Sequence, residues 1–138
     1  MKINLKRTES TPISEDWNGL RWTNWIEISN LTKNDLPKFP GIYRIRPKGL
    51  NFLIYLGQTS RTLDTRVRKE LAKSYLDSGD LMPFNDPHTA AQSLWVWNQE
   101  KRWDYECSVA PISMENIPLD DRKRYLEGVE SFLLWRYH

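Results

Sequence analysis

Two tyrosines, an arginine and a glutamate have the residue types and the spacing to act on a phosphodiester. Tyr43 ends the tripeptide GIY, Tyr55 begins the tripeptide YLG, and Arg66 follows in a helical pattern. Glu130 lies much later, in an apolar helical segment. A guanidinium can bind two phosphate oxygens at once, a carboxylate can hold a divalent cation, and a phenol can move a proton. These four side chains form a candidate site, provided that the fold brings them together.

Glu130 lies on the apolar side of the last predicted helix, which covers residues 119–137. At about 100° per residue, the apolar face of this helix holds Leu126, Val129, Leu133 and Tyr137. A carboxylate among such neighbours loses several kcal/mol of hydration unless it is paired or binds a cation. Two interpretations stay open: a metal ligand, or a salt bridge to an arginine at the edge of the core, with Arg66 as the natural candidate.

The segments that carry the tyrosines predict two paired strands. Residues 42–46 alternate apolar and basic side chains in part, as a half-buried strand does, and residues 52–56 form a continuous apolar run typical of a central strand. Residues 47–49 supply turn chemistry, so we expect an antiparallel hairpin in which Gly57 ends the second strand. Apolar and polar residues also alternate over residues 105–109, which predicts a third strand.

Three helices are predicted. The first has an apolar residue at every fourth position and several possible N-caps; the stripe is Leu63, Val67, Leu71 and Tyr75, and the caps are Thr59, Ser60 and Thr62. This spacing predicts about three to four turns, with Arg66 beside the stripe. The second helix covers residues 89–97, after a loop over residues 78–87, and begins near Pro87 or His88. The third is the helix that carries Glu130, and acidic residues suit its first turn.

The beginning of the chain is rich in tryptophan and ends at two prolines that break regular structure, Pro37 and Pro40. We interpret residues 1–37 as an N-terminal arm packed through its tryptophans on a single domain, residues 38–138. Within the arm, residues 23–28 fit a short strand or a short helix equally well.

Composition excludes several classes of protein. No apolar run approaches the roughly 20 residues that a membrane span needs, and the first residues lack the apolar stretch of a signal peptide. The single cysteine, Cys107, excludes an internal disulfide and a cysteine-rich zinc site, and its alternating surroundings predict a small core residue. We therefore expect a cytoplasmic protein with no membrane partner.

Basic charge is concentrated on the segment that carries the tripeptides. The whole chain has a formal net charge of only +2, whereas residues 41–75 hold eight lysines and arginines against two acidic residues. A positive patch of this kind attracts phosphate and releases counterions when it binds a nucleic acid, although a solvated helix face has the same composition.

The two tripeptides, Arg66 and Glu130 occur in the order and at the spacing of the GIY-YIG nuclease family, which this chain resembles over roughly residues 38–137. The second tripeptide differs from the family pattern only in Leu56, which replaces isoleucine. The resemblance implies an α+β fold with a small three-stranded antiparallel sheet flanked by helices. It also implies a metal-dependent endonuclease that acts on DNA.

The resemblance also implies a role for each site residue: Glu130 holds one Mg²⁺ or Mn²⁺ ion, and Arg66 offsets charge on the phosphate. Tyr43 takes the proton from the attacking water, and Tyr55 positions water or phosphate. Further contacts to the DNA are expected from Gly57, Gln58, Arg61, Arg68 and Lys69. His88 is a candidate helper base or phosphate contact, or else a helix-capping or surface residue.

A competing interpretation is a catalytically weak or inactive module that keeps the fold and binds DNA or a protein partner. Gln58 stands where some family members carry a lysine, and residues 76–138 carry a net charge of −5, which weakens affinity for DNA. The tryptophan-rich arm offers a surface to a protein partner. For the nuclease, the family resemblance implies that a protein partner or a further domain supplies sequence specificity.

Overall fold

A four-stranded antiparallel sheet forms the centre of the protein. The computed structural model describes residues 11–72 and 104–137 of the 138-residue chain. The strands are β1 (Ile26–Glu27), β2 (Gly41–Pro47), β3 (Tyr55–Thr59) and β4 (Tyr105–Pro111), in the order β1-β4-β2-β3. Every neighbouring pair is antiparallel. The predicted α+β class is confirmed.

The prediction of a three-stranded sheet is wrong, because the arm adds β1 at one edge. This two-residue strand pairs with β4, where Ile26 lies opposite Cys107. Thr23 holds the arm in place just before it: its backbone N–H donates to the carbonyl of Val109 (2.8 Å), and its hydroxyl oxygen accepts from the Val109 N–H (3.0 Å). Residues 23–28 are thus resolved into a short strand, followed by a 3₁₀ turn.

Strands β2 and β3 form the predicted antiparallel pair, with Tyr43 opposite Gly57. The second strand begins at Tyr55, not at residue 52, and Gly57 lies in its middle. Strand β3 does not begin at residue 52 because the backbone of Leu53 is hydrogen-bonded to Tyr137. Its N–H donates to the Tyr137 hydroxyl (3.2 Å), and that hydroxyl donates in turn to the Leu53 carbonyl (3.1 Å). Phe52 is left 42% exposed.

Two longer helices flank the sheet, α1 (Asp64–Ala72) and α2 (Arg122–Tyr137), and 3₁₀ turns cover Trp17–Gly19, Ile28–Asn30 and Leu119–Asp121. Helix α1 is wound with π-type hydrogen bonds, a form often found at functional sites. The hydroxyl oxygen of Thr62 caps its first turn by accepting from the N–H of Thr65 (3.1 Å). The predicted second helix, the loop before it, His88 and Tyr75 lie outside the described residues.

Each face of the sheet has its own hydrophobic core. On one face, β2 and β4 pack against α1 through Tyr43, Ile45, Leu63, Val67, Leu71, Cys107 and Val109. On the other face, the sheet packs against α2 and the arm through Trp17, Trp22, Ile42, Leu56, Leu126 and Leu133. The apolar stripes predicted for these two helices are therefore confirmed as far as the described residues extend, and so is the core position of Cys107. No helix within residues 11–72 and 104–137 is long and apolar enough to cross a membrane.

The arm covers a fully buried arginine on β2, Arg44. Its guanidinium lies 4.1 Å from the ring centre of Trp22 and 4.7 Å from that of Trp25, and it donates a hydrogen bond to the carbonyl of Pro12 (2.6 Å). Burial, with a smaller contribution from the charge of Arg46, lowers the pKa of Arg44 to about 9. The tryptophans of the arm shield this cation from water and face it with their π systems.

Removing one of these rings should unfold the protein more readily. We expect Trp22→Ala to lower the free energy of unfolding by about 3–5 kcal/mol, because it empties a core position and uncovers the Arg44 guanidinium. Phe132→Ala removes an exposed aromatic ring of similar type and should cost less than about 0.5 kcal/mol. Urea denaturation compares the two variants, and equal losses would show that the arm is not part of the core.

Candidate functional site

The two tyrosines of the tripeptides lie side by side on neighbouring strands. Their ring centres are 6.1 Å apart and their planes differ by 19°. Tyr43 is directly opposite Gly57, and Tyr55 is therefore its diagonal neighbour across the β2–β3 pair. A Cβ at Gly57 would lie 2.5 Å from Cζ and 2.6 Å from the hydroxyl oxygen of Tyr43. The tripeptide needs its glycine because the Tyr43 ring lies directly over the Gly57 backbone.

Tyr43 is buried, and its hydroxyl connects the tyrosine pair to Arg66. Burial raises the pKa of Tyr43, and the neighbouring Tyr55 adds to this effect. The positive charge of Arg66 and the hydrogen bond that its guanidinium donates to the phenolic oxygen oppose it. The net pKa of Tyr43 is well above its ordinary value, so the phenol holds its proton at neutral pH.

Glu130 completes the group from the opposite helix. Helix α2 packs mainly along β3 and also touches β2, and the negative charge of Glu130 raises the pKa values of both Tyr43 and Tyr55. For Tyr55 the main cause is burial, while Arg66 and a hydrogen bond from the Tyr43 hydroxyl act in the other direction. The structure thus brings together all four side chains that the sequence singles out.

Glu130 and Arg66 do not form the salt bridge that remained open from the sequence. The Nη1 atom of Arg66 lies 3.4 Å from a carboxylate oxygen of Glu70, one turn further along α1. Among the residues that the structure describes, no cation forms an ion pair with Glu130. Burial raises the pKa of Glu130, and the like charge of Glu127 adds to the effect. Glu130 is therefore a carboxylate with spare ligand capacity.

The other predicted DNA contacts divide into two groups. Arg61 shares the Glu70 carboxylate with Arg66, so it belongs to the site. Arg68 instead forms a two-bonded pair with the buried Asp64 (2.7 and 2.9 Å), and the positive charge of the exposed Lys69 also acts on Asp64. Arg68 is thus held by Asp64, whereas Lys69 forms no ion pair among the residues that the structure describes.

Two of the predicted substrate-contacting residues have a buried atom without a hydrogen-bond partner within the described ranges, Arg66 at Nε and Gln58 at Oε1. One is a donor and the other an acceptor, and buried groups of either kind normally have a partner. A phosphate oxygen would satisfy the first, and a coordinated or ordered water would satisfy the second.

Glu70 is the residue that the sequence analysis missed. It lies four positions after Arg66, a spacing at which opposite charges on a helix meet, and that spacing is the signal that could have identified it. Its second partner, Arg61, precedes the helix, so that contact depends on the turn into α1.

The donor set fits one kind of metal ion. Within residues 11–72 and 104–137, no three histidine, cysteine or acidic side chains cluster together, so a closed protein cage of the zinc type is not formed there. Mg²⁺ commonly uses one or two carboxylates and takes its other ligands from water and phosphate. Glu130, which has no cationic partner among the described residues, fits that mode of binding.

Comparisons with protein-family models, curated proteins and solved structures found no match. Functional inference for this chain therefore rests on its own residues and their geometry.

The close approach at Gly57 can be tested with a matched pair of substitutions. We expect Gly57→Ala to lower the free energy of unfolding by about 1–3 kcal/mol, because the new Cβ forces the Tyr43 ring out of place. Gly128→Ala introduces the same methyl group on α2, where nothing lies within 4 Å, and should stabilise by about 0.5–1 kcal/mol. Denaturation and near-ultraviolet circular dichroism measure both effects. A Gly57→Ala variant as stable as the wild type would contradict the contact.

The raised pKa of Glu130 has a consequence for stability. The folded state binds a proton here more readily than the unfolded state, so the carboxyl stabilises the fold below its ordinary pKa of 4.5 and loses that contribution as pH rises. At pH 7, Glu130→Gln should therefore stabilise, by less than about 1 kcal/mol since water screens a partly exposed carboxylate. The gain should disappear near pH 4.

Metal-free thermal melts at the two pH values provide the measurement. Glu15→Gln, at an exposed position of the arm, should leave stability unchanged at both. A loss of stability in Glu130→Gln at pH 7 would point instead to a structural ion pair.

Proposed function

We propose that this protein is a metal-dependent DNA endonuclease of the GIY-YIG type that hydrolyses phosphodiester bonds. One observation carries the proposal: Arg66 donates a hydrogen bond to Tyr43, while the charge of Glu130 acts on both Tyr43 and Tyr55. Four elements, β2, β3, α1 and α2, thus bring together a guanidinium that can bind an anion, two phenols and an unpaired carboxylate. This combination suits a phosphate ester better than a neutral substrate.

The distribution of basic charge supports DNA as the substrate. Arg66, which hydrogen-bonds to Tyr43, and Arg61, which shares Glu70 with it, both belong to the segment (residues 41–75) in which basic residues exceed acidic ones by six. Cations in such a cluster neutralise the phosphates of a nucleic acid backbone and release its counterions.

The roles of the residues follow from their surroundings. Arg66 binds the phosphate, with its unpartnered Nε as a donor, and stabilises the negative charge that builds up on the oxygens in the transition state. When bound to Glu130, a divalent ion supplies charge that polarises the phosphate, stabilises the leaving oxygen and lowers the pKa of nearby phenols. Tyr43 accepts the proton of the attacking water only after its own proton has left.

Tyr55 provides the exit for that proton. Tyr43 is only 1% exposed, and its hydroxyl is hydrogen-bonded to that of Tyr55. Tyr55 is partly exposed. The proton can therefore pass from the buried phenol through the outer one to water, and Tyr55 also orients water or phosphate beside Arg66.

A binding module without turnover is the second candidate function. Helix α2 exposes Tyr125, Phe132 and Trp135, with Trp135 70% accessible, and the rings of Phe132 and Trp135 lie 6.1 Å apart. Exposed aromatic patches often mark protein–protein contacts. Because Trp17 and Trp22 of the arm are buried in the core, α2 offers a better surface for a protein partner than these rings do.

A cleavage assay separates the two candidates. With Mg²⁺ or Mn²⁺, the wild-type protein should cut at least one of single-stranded, duplex, nicked or branched DNA. We expect Arg66→Ala to slow cleavage by roughly 10²–10³-fold, as loss of a transition-state donor does, while circular dichroism shows an intact fold. Arg21→Ala removes the same charge from an exposed position of the arm and should keep the wild-type rate. A folded wild type that cuts none of these forms with either metal would favour the binding module.

A further inference from the structure

Two arginines share the carboxylate of Glu70: Arg66 of the candidate site and Arg61, which precedes α1. The Oε1 atom of Glu70 accepts hydrogen bonds from Nη2 of Arg61 and from Nη1 of Arg66, the latter at 3.4 Å. Burial alone would raise the pKa of Glu70, but the hydrogen bond and charge of Arg61 and then the charge and hydrogen bond of Arg66 lower it overall. Glu70 is thus ionised at neutral pH and neutralises part of the positive charge of the site.

A carboxylate and a phosphate present similar targets to a guanidinium. Each offers two oxygens in a plane that matches the fork of N–H donors on arginine. Glu70 therefore occupies donors that a backbone phosphate would otherwise use. Nε of Arg66 is buried and has no partner among the described residues, which shows that the carboxylate does not fill the whole fork.

The other acidic–basic pair of the same helix shows what a structural pair looks like here. Asp64 holds Arg68 through two short bonds and its side chain is only 4% exposed. The Glu70 side chain is 30% exposed, and the Arg61 side chain is 54% exposed. Exposed ion pairs are weak because water competes with them, so the contact between Glu70 and Arg61 can be exchanged at little cost.

We propose that Glu70 occupies the arginine pair of the free protein as a substitute for phosphate, and that a phosphate of the DNA backbone displaces it on binding. Arg61 is then a second phosphate-binding residue, and Glu70 sets the affinity for DNA. This inference rests on the proposed function, since it assigns the site to a DNA backbone.

The test is the affinity for a fluorescent duplex oligonucleotide, measured in EDTA so that no cleavage occurs. Glu70→Gln keeps the shape of the side chain but removes its charge, and should lower the Kd about 3–10-fold at low salt. Because the same phosphate contact forms in both proteins, the slope of log Kd against log salt should change by less than about 0.9, the value of one phosphate contact. Glu27→Gln changes the net charge equally and releases Lys48 at the opposite edge of the sheet; its Kd should change less than twofold.

Cleavage kinetics add a readout that a structural role would not move. In Glu70→Gln the KM should fall by the same factor as the Kd, with kcat within about twofold of wild type. Arg61→Ala, at an exposed position, should weaken binding several-fold, and it tests the proposal even if Glu70→Gln fails to fold.

Each contrary result has its own meaning. A wild type that neither binds nor cuts DNA overturns both this inference and the proposed function. A wild type that binds DNA, with Glu70→Gln equal or weaker in affinity or with Arg61→Ala unchanged, overturns only the role given to Glu70.

Discussion

The register in which β2 pairs with β3 determines the whole site. Side chains alternate between the two faces of a strand, so Tyr43 points toward the α1 face while its neighbour Arg44 points toward the arm and α2. If the pairing shifted by one residue, Tyr43 would point toward the arm and α2, and the cationic side chain of Arg44 would point toward α1. The approach of the Tyr43 ring to Gly57 fixes this register, because only a glycine leaves room for it.

The other face holds the same register through a different interaction. Trp22 and Trp25 enclose Arg44, and the backbone of the arm supplies its hydrogen-bond acceptor. A cation in this position is costly unless it is covered, so the arm and β2 depend on each other. Arg46 stacks on Trp25 and pairs with Glu106 on β4 at 3.0 Å. These contacts fix the side-chain orientation of β2 at a second position.

Local sequence patterns were sufficient to predict a helix or a strand where a single period of apolar residues dominates the segment. The four-residue stripe around Val67, the alternation through Cys107 and the apolar face around Leu133 each predicted a helix or strand that the structure contains. Strand β1 was not predictable, because a two-residue strand has no period and depends on contacts of Thr23 with β4. The start of β3 depends on a hydrogen bond between Leu53 and Tyr137, 84 positions apart.

The sequence was sufficient to predict which residues form the candidate site, but less so to predict which of them form ion pairs with each other. Tyr43, Tyr55, Arg66 and Glu130 converge as expected. The salt bridge between Arg66 and Glu130, one of the two interpretations left open, does not form: Arg66 pairs with Glu70, and Glu130 is unpaired within the described part of the chain. Partner choice depends on side-chain reach and on the angle between helices, which no spacing rule contains. Glu130 is therefore the carboxylate at which a bound cation should be sought.

A crystal structure of the protein soaked with Mn²⁺ tests this arrangement most directly. Anomalous density should appear on the Glu130 carboxylate, on the side that faces Tyr43 and Arg66, and it should be absent from crystals of Glu130→Gln grown under the same conditions. Density at another carboxylate, or a well-ordered wild-type site without any at saturating Mn²⁺, would contradict a metal-dependent phosphodiesterase centre at these four residues.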